Sequence, residues 1–156
     1  IAGDWSSDVC SSDLLIMKQI PVIFWTGTGN TQMMADVIAA AINAAGAEAV
    51  VKNVSEITAD EAAGYAALAL GCPAMGAEVL EEGEMEPFVS SIEGMVGGKQ
   101  IALFGSYGWG DGEWMRNWEE SCKEAGAVLA TESVICNDMP DDDGVENCKA
   151  LGAALA

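Results

Sequence analysis

Short apolar runs alternate with segments whose apolar residues recur at helical spacing, from residue 20 to the end of the chain. The runs predict strands at 20–25, 47–54, 65–70, 100–104 and 127–136, and helical spacing or capping signals predict helices at 31–45, 58–63, 113–125 and 145–155. The acidic stretch 80–86 leads into a further predicted helix that ends near Gly94. Five strands that alternate with helices predict an α/β fold with a single doubly wound, five-stranded parallel sheet.

Three predicted loops of unusual composition follow the first, third and fourth strands, at 26–31, 72–78 and 106–112. In a doubly wound sheet, ligands bind beyond the carboxyl ends of the strands, where the strand order reverses. We therefore expect the three loops to converge on one binding site.

The first loop, Thr-Gly-Thr-Gly-Asn-Thr at 26–31, has the composition of a phosphate cradle. Its glycines let the backbone approach an anion, and the following helix start offers free N–H groups. The loop has no lysine and no third glycine at the required spacing, which excludes a Walker loop and the dinucleotide fingerprint. An ordinary capped turn between a strand and a helix remains the alternative.

The other two loops contain a tryptophan and a methionine that we do not expect to be buried in the hydrophobic core. Trp109 lies between two glycines, and Met75 follows a Cys-Pro-Ala segment. Together with a phosphate loop, they indicate a flat aromatic ligand that carries a phosphate. The alternatives are that Trp109 anchors its loop and that Met75 packs as an ordinary core side chain.

Composition narrows the choice of partners and chemistry. The 156 residues suit one domain. The net charge of -19 disfavours binding to nucleic acid and anionic membranes and favours basic protein partners. A strongly negative surface also increases solubility, which is the alternative explanation of the charge. The absence of histidine excludes histidine-based catalytic triads and histidine metal sites. The five cysteines form no Cys-x-x-Cys pair, so we expect free thiols in a cytoplasmic protein, and no apolar run is long enough to span a membrane.

Residues 1–16 differ from the rest of the chain. They contain a short polar near-repeat, Ser-Ser-Asp, with no strand or helix period and no signal-peptide pattern. Met17 follows this segment and has the character of a natural start. We expect residues 1–16 to be extraneous and residues 17–156 to form the functional domain.

The motifs together resemble a short-chain flavodoxin of the clostridial type. Thr-Gly-Thr-Gly-Asn-Thr follows the first strand, Gly-Cys-Pro-Ala-Met-Gly the third and Gly-Ser-Tyr-Gly-Trp-Gly the fourth, in the order of that family. The resemblance runs from about Met17 to the C-terminus. It implies strand order 2-1-3-4-5 and one non-covalently bound FMN. The implied function is a cytoplasmic, monomeric, low-potential carrier that moves single electrons between redox enzymes through the FMN semiquinone and hydroquinone.

The resemblance also implies which residues contact FMN. Residues 26–31 would hold the phosphate, Met75 and Trp109 would flank the ring, Glu78 would accept a hydrogen bond from it, and residues 137–140 would approach it. Position 77 is Ala, which lacks a side-chain hydrogen bond that relatives often have there. The implied FMN-binding residues are Thr26, Gly27, Thr28, Gly29, Asn30, Thr31, Pro73, Ala74, Met75, Gly76, Glu78, Ser106, Tyr107, Gly108, Trp109, Gly110, Asp111, Gly112 and Met139.

Two features would set the redox potentials. The peptide after Met75 is expected to turn upon reduction, and Gly76 makes that turn cheap, so a β-branched residue there should lower the first potential. The second reduction adds negative charge near acidic side chains, which lowers the second potential. The candidate carboxylates, each of which could also be a solvated surface group, are Glu78, Glu81, Glu82, Asp111, Glu113 and Asp138.

Two other classes of protein are alternatives to an electron carrier. An FMN-dependent NAD(P)H:quinone reductase would share the fold, but it needs room for a second substrate, which short loops and a stacked Trp109 disfavour. A receiver domain would need a phosphorylatable Asp at the end of the first strand, where Thr26 and Gly27 stand instead.

Overall fold

The structure is a computed structural model that describes residues 18–27, 29–75, 79–108 and 110–156. The predictions made for residues 1–17 and for Thr28, Gly76, Ala77, Glu78 and Trp109 lie outside the described residues.

The described chain alternates strands and helices, as the apolar pattern predicts. The strands are β1 Gln19–Phe24, β2 Glu48–Asn53, β3 Ala67–Gly71, β4 Gln100–Tyr107, β5 Val128–Leu129 and β6 Val134–Asn137. The α-helices are α1 Asn30–Ala44, α2 Ala59–Ala63, α3 Met85–Ile92, α4 Glu113–Glu124 and α5 Asp142–Leu155, with short 3-10 helices at Val54–Glu56 and Glu93–Met95.

The strands form one parallel sheet in the order β2-β1-β3-β4-β5, and β6 pairs with β4 beyond β5. The predicted doubly wound sheet and its order 2-1-3-4-5 are confirmed. Because β1 has β2 on one side and β3 on the other, the strand order reverses next to the end of β1. That reversal opens the ligand position at the carboxyl ends of β1 and β3.

The fifth strand is where the prediction is wrong, because the run 127–136 is not continuous. Leu129 pairs with Ile101 and Val134 with Phe104, so the fifth strand has two more residues than β4 between these pairs. The extra residues leave the ladder within the polar stretch 131–133, where Ser133 Oγ donates to Glu119 Oε2 at 2.6 Å. The Ser133 side chain therefore finds its partner on α4 rather than between strands.

The fourth strand is longer than predicted. Ser106 and Tyr107, predicted in a loop, belong to β4, because they pair with Cys136 and Asn137 of β6. The loop after β4 therefore begins only at Gly108.

The core has two layers, one on each face of the sheet. Successive residues of β1 point to opposite faces, so Val22 packs with α1 and α5, while Ile23 packs with the layer of α3 and α4. Both side chains are fully buried, which for residues of this size contributes roughly 1.5–3 kcal/mol each. Burial on both faces explains why the central strands are apolar without alternation.

Candidate functional site

A cleft of about 260 Å³ opens at the carboxyl ends of β1, β3 and β4. It brings together residues from all three loops that the sequence singled out, and from the turn after β6. The lining residues are Trp25, Gly27, Asn30, Pro73, Ala74, Met75, Ser106, Tyr107, Gly108 and Asp138.

Eight of these ten residues are predicted FMN contacts; the other two are Trp25 and Asp138. Sequence reasoning assigned Trp25 to a buried strand, because it ends an apolar run. Only its position directly before the phosphate loop could have indicated that Trp25 lines the cleft. Asp138 belongs to the stretch 137–140, which the resemblance places near the ring, but it is not among the residues predicted to contact FMN.

The loop after β1 is shaped by Gly29, which precedes α1. Gly29 has φ +94°, a left-handed conformation that glycine adopts at little cost. Its N–H donates to Thr26 Oγ1 at 2.9 Å, and its carbonyl accepts from Met33 N at 3.0 Å. The first turn of α1 has no acidic side chain, and its leading N–H groups have no partner within the helix. This end of the cleft therefore suits an anion.

Thr31 connects the first loop to β4. Its side chain is only 1% exposed, and its Oγ1 lies 3.5 Å from Ser106 Oγ. Thr31 does not line the cleft, but Ser106 does. The contact fixes the distance between two walls of the cleft.

The loop after β3 is held from both sides. Ala74 N donates to Ser106 O at 3.0 Å, and Met75 and Val79 exchange two backbone hydrogen bonds of 2.9 and 3.0 Å. These bonds fix the backbone of Met75 at the edge of the cleft.

Cys72, at the base of the same loop, is enclosed by its neighbours. Its carbonyl accepts from Trp114 Nε1 at 3.0 Å, and a Cβ added at Gly105 would overlap that carbonyl oxygen. Burial raises the pKa of the Cys72 thiol to about 12, so it stays protonated at neutral pH.

The acidic loop before α3 contacts the cleft only through Trp25, among the residues that the structure describes. Trp25 Nε1 donates to Glu84 Oε1 at 3.1 Å. Glu81 accepts from the N–H groups of Gly83, Glu84 and Met85 at 2.7, 2.7 and 2.9 Å. Burial acts to raise the pKa of the Glu81 carboxyl, but these three hydrogen bonds outweigh it and the pKa is lowered. Glu81 thus caps α3 as an ionised group.

Asp138 reaches the cleft through an unusual backbone conformation. It has φ +59°, which is uncommon for a residue with a side chain, and its N–H donates to Tyr107 O at 2.8 Å. A Cβ added at Gly108 would lie 3.7 Å from its carboxylate oxygen Oδ1. A carboxylate therefore stands beside Gly108.

Four other predicted FMN contacts do not line the cleft: Gly110, Asp111, Gly112 and Met139. Asp111 forms an exposed ion pair with Arg116 at 3.1 Å, and Gly112 caps α4. Met139 is 61% exposed. Of the predicted contacts that the structure describes, Thr26, Gly29 and Thr31 shape the walls rather than line them.

Two further findings concern the described part of the chain alone. It contains no group of three or more potential metal ligands, and none of its helices combines the length and apolar character needed to cross a membrane.

The fold and the cleft define a doubly wound α/β protein with its ligand site at the carboxyl ends of β1, β3 and β4. The sequence profile of the flavodoxin family matches residues 22–152. Flavodoxin from Clostridium beijerinckii is 44% identical over 86% of this chain and 97% of its own, and flavodoxin from Megasphaera elsdenii is 42% identical over 88% and 98%.

Solved structures agree with these relatives. The solution structure of two-electron reduced Megasphaera elsdenii flavodoxin superposes with a TM-score of 0.81 over 87% of this chain and 97% of its own, at 42% identity. A flavodoxin from the domain Archaea, 26% identical, superposes with a TM-score of 0.77 over 88% of this chain and 96% of its own. The chain belongs to the flavodoxin family. Flavodoxins are FMN-binding electron carriers, and this chain is one.

Proposed function

We propose that this chain carries one electron at a time at low potential, with FMN held in the cleft at the ends of β1, β3 and β4. The observation that carries the proposal is the convergence of eight predicted contacts from three separate loops on that cleft. The bound FMN supplies a ring that accepts and releases electrons singly.

The end of the cleft at the start of α1 fits the phosphate. Gly27 and Asn30 line it, and the leading N–H groups of α1 point their positive dipole ends toward it. The Thr26 hydroxyl accepts from Gly29 N and so fixes the shape of the loop. The side chain of Thr28 and the backbone of the loop would complete the phosphate contacts.

The other end of the cleft fits a flat ring. Met75 and Tyr107 supply thioether and aromatic surface, and Pro73 and Ala74 add a small apolar wall. The ring of Trp25 lies beside Gly27, 3.1 Å from a Cβ added there, and its hydrogen bond to Glu84 fixes it in that place. Gly76, Glu78 and Trp109 would add the contacts that the flavodoxin pattern assigns to them.

The charge of the cleft supports the proposal of a low potential. The loop 26–31 has no cation, and Asp138 lines the ring end. A carboxylate ~10 Å from an added negative charge opposes it by roughly 0.4–1.7 kcal/mol, depending on the effective dielectric constant. For one electron this corresponds to roughly 20–70 mV per carboxylate.

The acidic surface around the cleft suits brief contact with basic patches on redox partner proteins. Residues 81–86 contain four carboxylates, and further acids flank the cleft at 111–113 and 138–143. Attraction between such surfaces raises association rates and is weakened by salt. We propose a monomer that acts in the cytoplasm, and that residues 17–156 form the FMN-binding domain.

An anaerobic redox titration followed by absorbance tests the potentials. Two separate one-electron steps are expected, and Asp138→Asn should raise the second potential by tens of millivolts because it removes a charge from the cleft. Glu124→Gln is the matched control, since Glu124 ends α4 away from the cleft. Equal shifts in the two variants would refute the electrostatic assignment. The same titration on a chain that begins at Met17 should give unchanged FMN affinity and potentials.

Steady turnover of NADH with a quinone tests the enzymatic alternative. A carrier should show no saturable turnover unless a reductase is added. Saturation by both NADH and quinone in the isolated protein would overturn the assignment as a carrier.

A further inference from the structure

Two of the four cysteines that the structure describes are in contact between β6 and α5. All four are free thiols. Cys136 on β6 and Cys148 on α5 belong to the core layer of α1 and α5, whereas Cys72 and Cys122 belong to the opposite layer. The thiols of Cys136 and Cys148 form a hydrogen bond with each other. The fold thus brings two oxidisable sulfur atoms together.

A glycine allows α5 to approach β6 this closely. A Cβ added at Gly144 would lie 2.7 Å from Cys136 Sγ. Gly144 precedes Cys148 by four residues, and residues four apart share one face of a helix. The missing side chain at Gly144 therefore leaves room for the sulfur of Cys136 against the same face of α5 that carries Cys148.

A cavity of about 320 Å³ opens beside this pair of cysteines. Its lining includes Val134 and Ile135, which precede Cys136, and Asn147, which precedes Cys148. Cys136 is 5% exposed, and Cys148 is fully buried. A molecule little larger than water therefore has a route to the edge of the pair, and Cys136 is the sulfur that it meets first.

We propose that Cys136 and Cys148 are a site of reversible oxidation by hydrogen peroxide, which converts the two thiols into a disulfide between β6 and α5. The sulfur of Cys136 attacks one peroxide oxygen, the O–O bond breaks and water leaves, which gives a sulfenic acid on Cys136. The sulfur of Cys148 then attacks the sulfenic sulfur, the S–O bond breaks and a second water leaves. The two thiols lose two electrons and two protons, which reduce one peroxide to two water molecules.

The order of attack follows from the hydrogen bond between the thiols. The Cys148 thiol donates to Cys136, which lowers the pKa of Cys136 against the opposing effects of burial and of Asp141. The same hydrogen bond, together with burial, raises the pKa of Cys148. The thiolate is the nucleophilic form of cysteine, so Cys136 reacts with peroxide and Cys148 closes the disulfide.

The disulfide would anchor a strand that leads into the proposed FMN cleft. Cys136 pairs with Ser106 of β4, which lines that cleft, and Asp138 follows Cys136 by two residues. Neither cysteine lines the cleft itself. The proposal therefore does not depend on FMN being the ligand of the cleft.

The positions of the basic residues make a direct test possible. Trypsin cleaves after Lys123 and Lys149, and the peptide 124–149 contains Cys136 and Cys148 and no other cysteine. FMN-loaded protein is treated with hydrogen peroxide, unfolded, alkylated with iodoacetamide and digested. The peptide should be lighter by two hydrogen atoms and carry no alkyl group. Dithiothreitol before alkylation should restore two alkyl groups.

Met139, on the same peptide, is an internal control for exposure to peroxide. It is 61% exposed, so its thioether should become a sulfoxide, which adds one oxygen atom. Dithiothreitol does not reverse this change. The two reactions are therefore distinguished on one peptide by mass and by their response to the reductant.

Three variants test the assigned order. In Cys148→Ser the sulfenic acid on Cys136 should persist and be captured by dimedone, and no disulfide should form. Cys136→Ser should leave Cys148 available for alkylation after the same peroxide treatment. Cys122→Ser, which removes a buried thiol from the opposite core layer, should not change the yield of disulfide. An unaltered FMN absorbance spectrum shows in each case that the fold is retained.

Three results would overturn the proposal. They are full alkylation of the peptide 124–149 under conditions that oxidise Met139, addition of oxygen to Cys136 in the unaltered protein without a disulfide, and a disulfide from either cysteine to a third one. If a serine variant does not fold, the peptide from the unaltered protein and from Cys122→Ser decides the question.

Discussion

Replacing Gly105 by alanine should destabilise the protein through the contact between β4 and the loop after β3. A Cβ at this position would overlap the carbonyl oxygen of Cys72 and lie 3.0 Å from its carbonyl carbon. Both belong to the backbone, so they cannot rotate away as a side-chain end could. The loop must move, and the hydrogen bond from Trp114 Nε1 to that oxygen weakens with it.

The expected decrease in stability is the sum of the cost of the overlap and the loss of the hydrogen bond. Overpacking a close contact costs typically 1–3 kcal/mol, and a lost hydrogen bond of this kind ~1 kcal/mol. A total of about 3 kcal/mol should lower the melting temperature by roughly 6–12 °C for a domain of this size. FMN affinity should fall as well, because Ala74 and Met75 lie in the displaced segment and line the cleft.

Thermal and urea unfolding of the apoprotein, followed by circular dichroism, measures the first effect, and quenching of FMN fluorescence measures the second. Gly94→Ala is the matched control, since nothing lies within 4 Å of a Cβ added there. This control should be neutral or more stable by up to ~1 kcal/mol. Equal unfolding midpoints for the two variants would refute the reasoning.

Three further predictions concern single side chains. Thr26→Ala removes the acceptor of the Gly29 N–H, so the dissociation constant of FMN should rise about tenfold or less, as one hydrogen bond allows. Glu81→Gln weakens the cap of α3 and should cost ~1 kcal/mol in urea unfolding at pH 7. The pKa of Glu81 in the folded protein lies below the usual 4.5. The contribution of Glu81 to the free energy of unfolding is therefore complete above pH 4.5, and it should be lost as the pH falls below 4.5 and through the pKa of the folded protein. Cys72 and Cys122, whose pKa values burial raises to about 12, should resist alkylation at pH 8 in the folded protein, as measured by mass spectrometry.

Each of these three has its own control. Thr26→Ser retains a hydroxyl acceptor and should bind FMN nearly as the unaltered protein does. Glu82→Gln changes an exposed neighbour of Glu81 and should leave the pH profile unaltered. In urea both thiols should react rapidly, and equal labelling rates in the folded and unfolded protein would contradict the burial argument.

The sheet and its helices could be predicted from sequence because the pattern reports burial directly. Strands such as β3 are covered on both faces, which demands an unbroken apolar run. The convergence of the loops followed from topology alone, since parallel strands end at one edge.

Other features depend on contacts that no local pattern reports. Trp25 has the same apolar character as the strand before it, and only its hydrogen bond to Glu84 and its place in the cleft distinguish it. Asp138 reaches the cleft because its φ is positive, and this conformation could not be predicted from the sequence around it. Glu81 is one acid among several, and its capping role depends on where α3 begins.

The interruption between β5 and β6 has a consequence for engineering. Residues 130–133 lie at the point where the fifth strand has two residues more than its neighbour, so additional residues there need not break a ladder pair. Lengthening such a loop costs only about 0.6 kcal/mol for each doubling of its length. None of its residues lines the proposed FMN cleft. The protein therefore offers a place to insert a peptide tag or a small domain, and the colour of the flavin would report whether the host still folds around it.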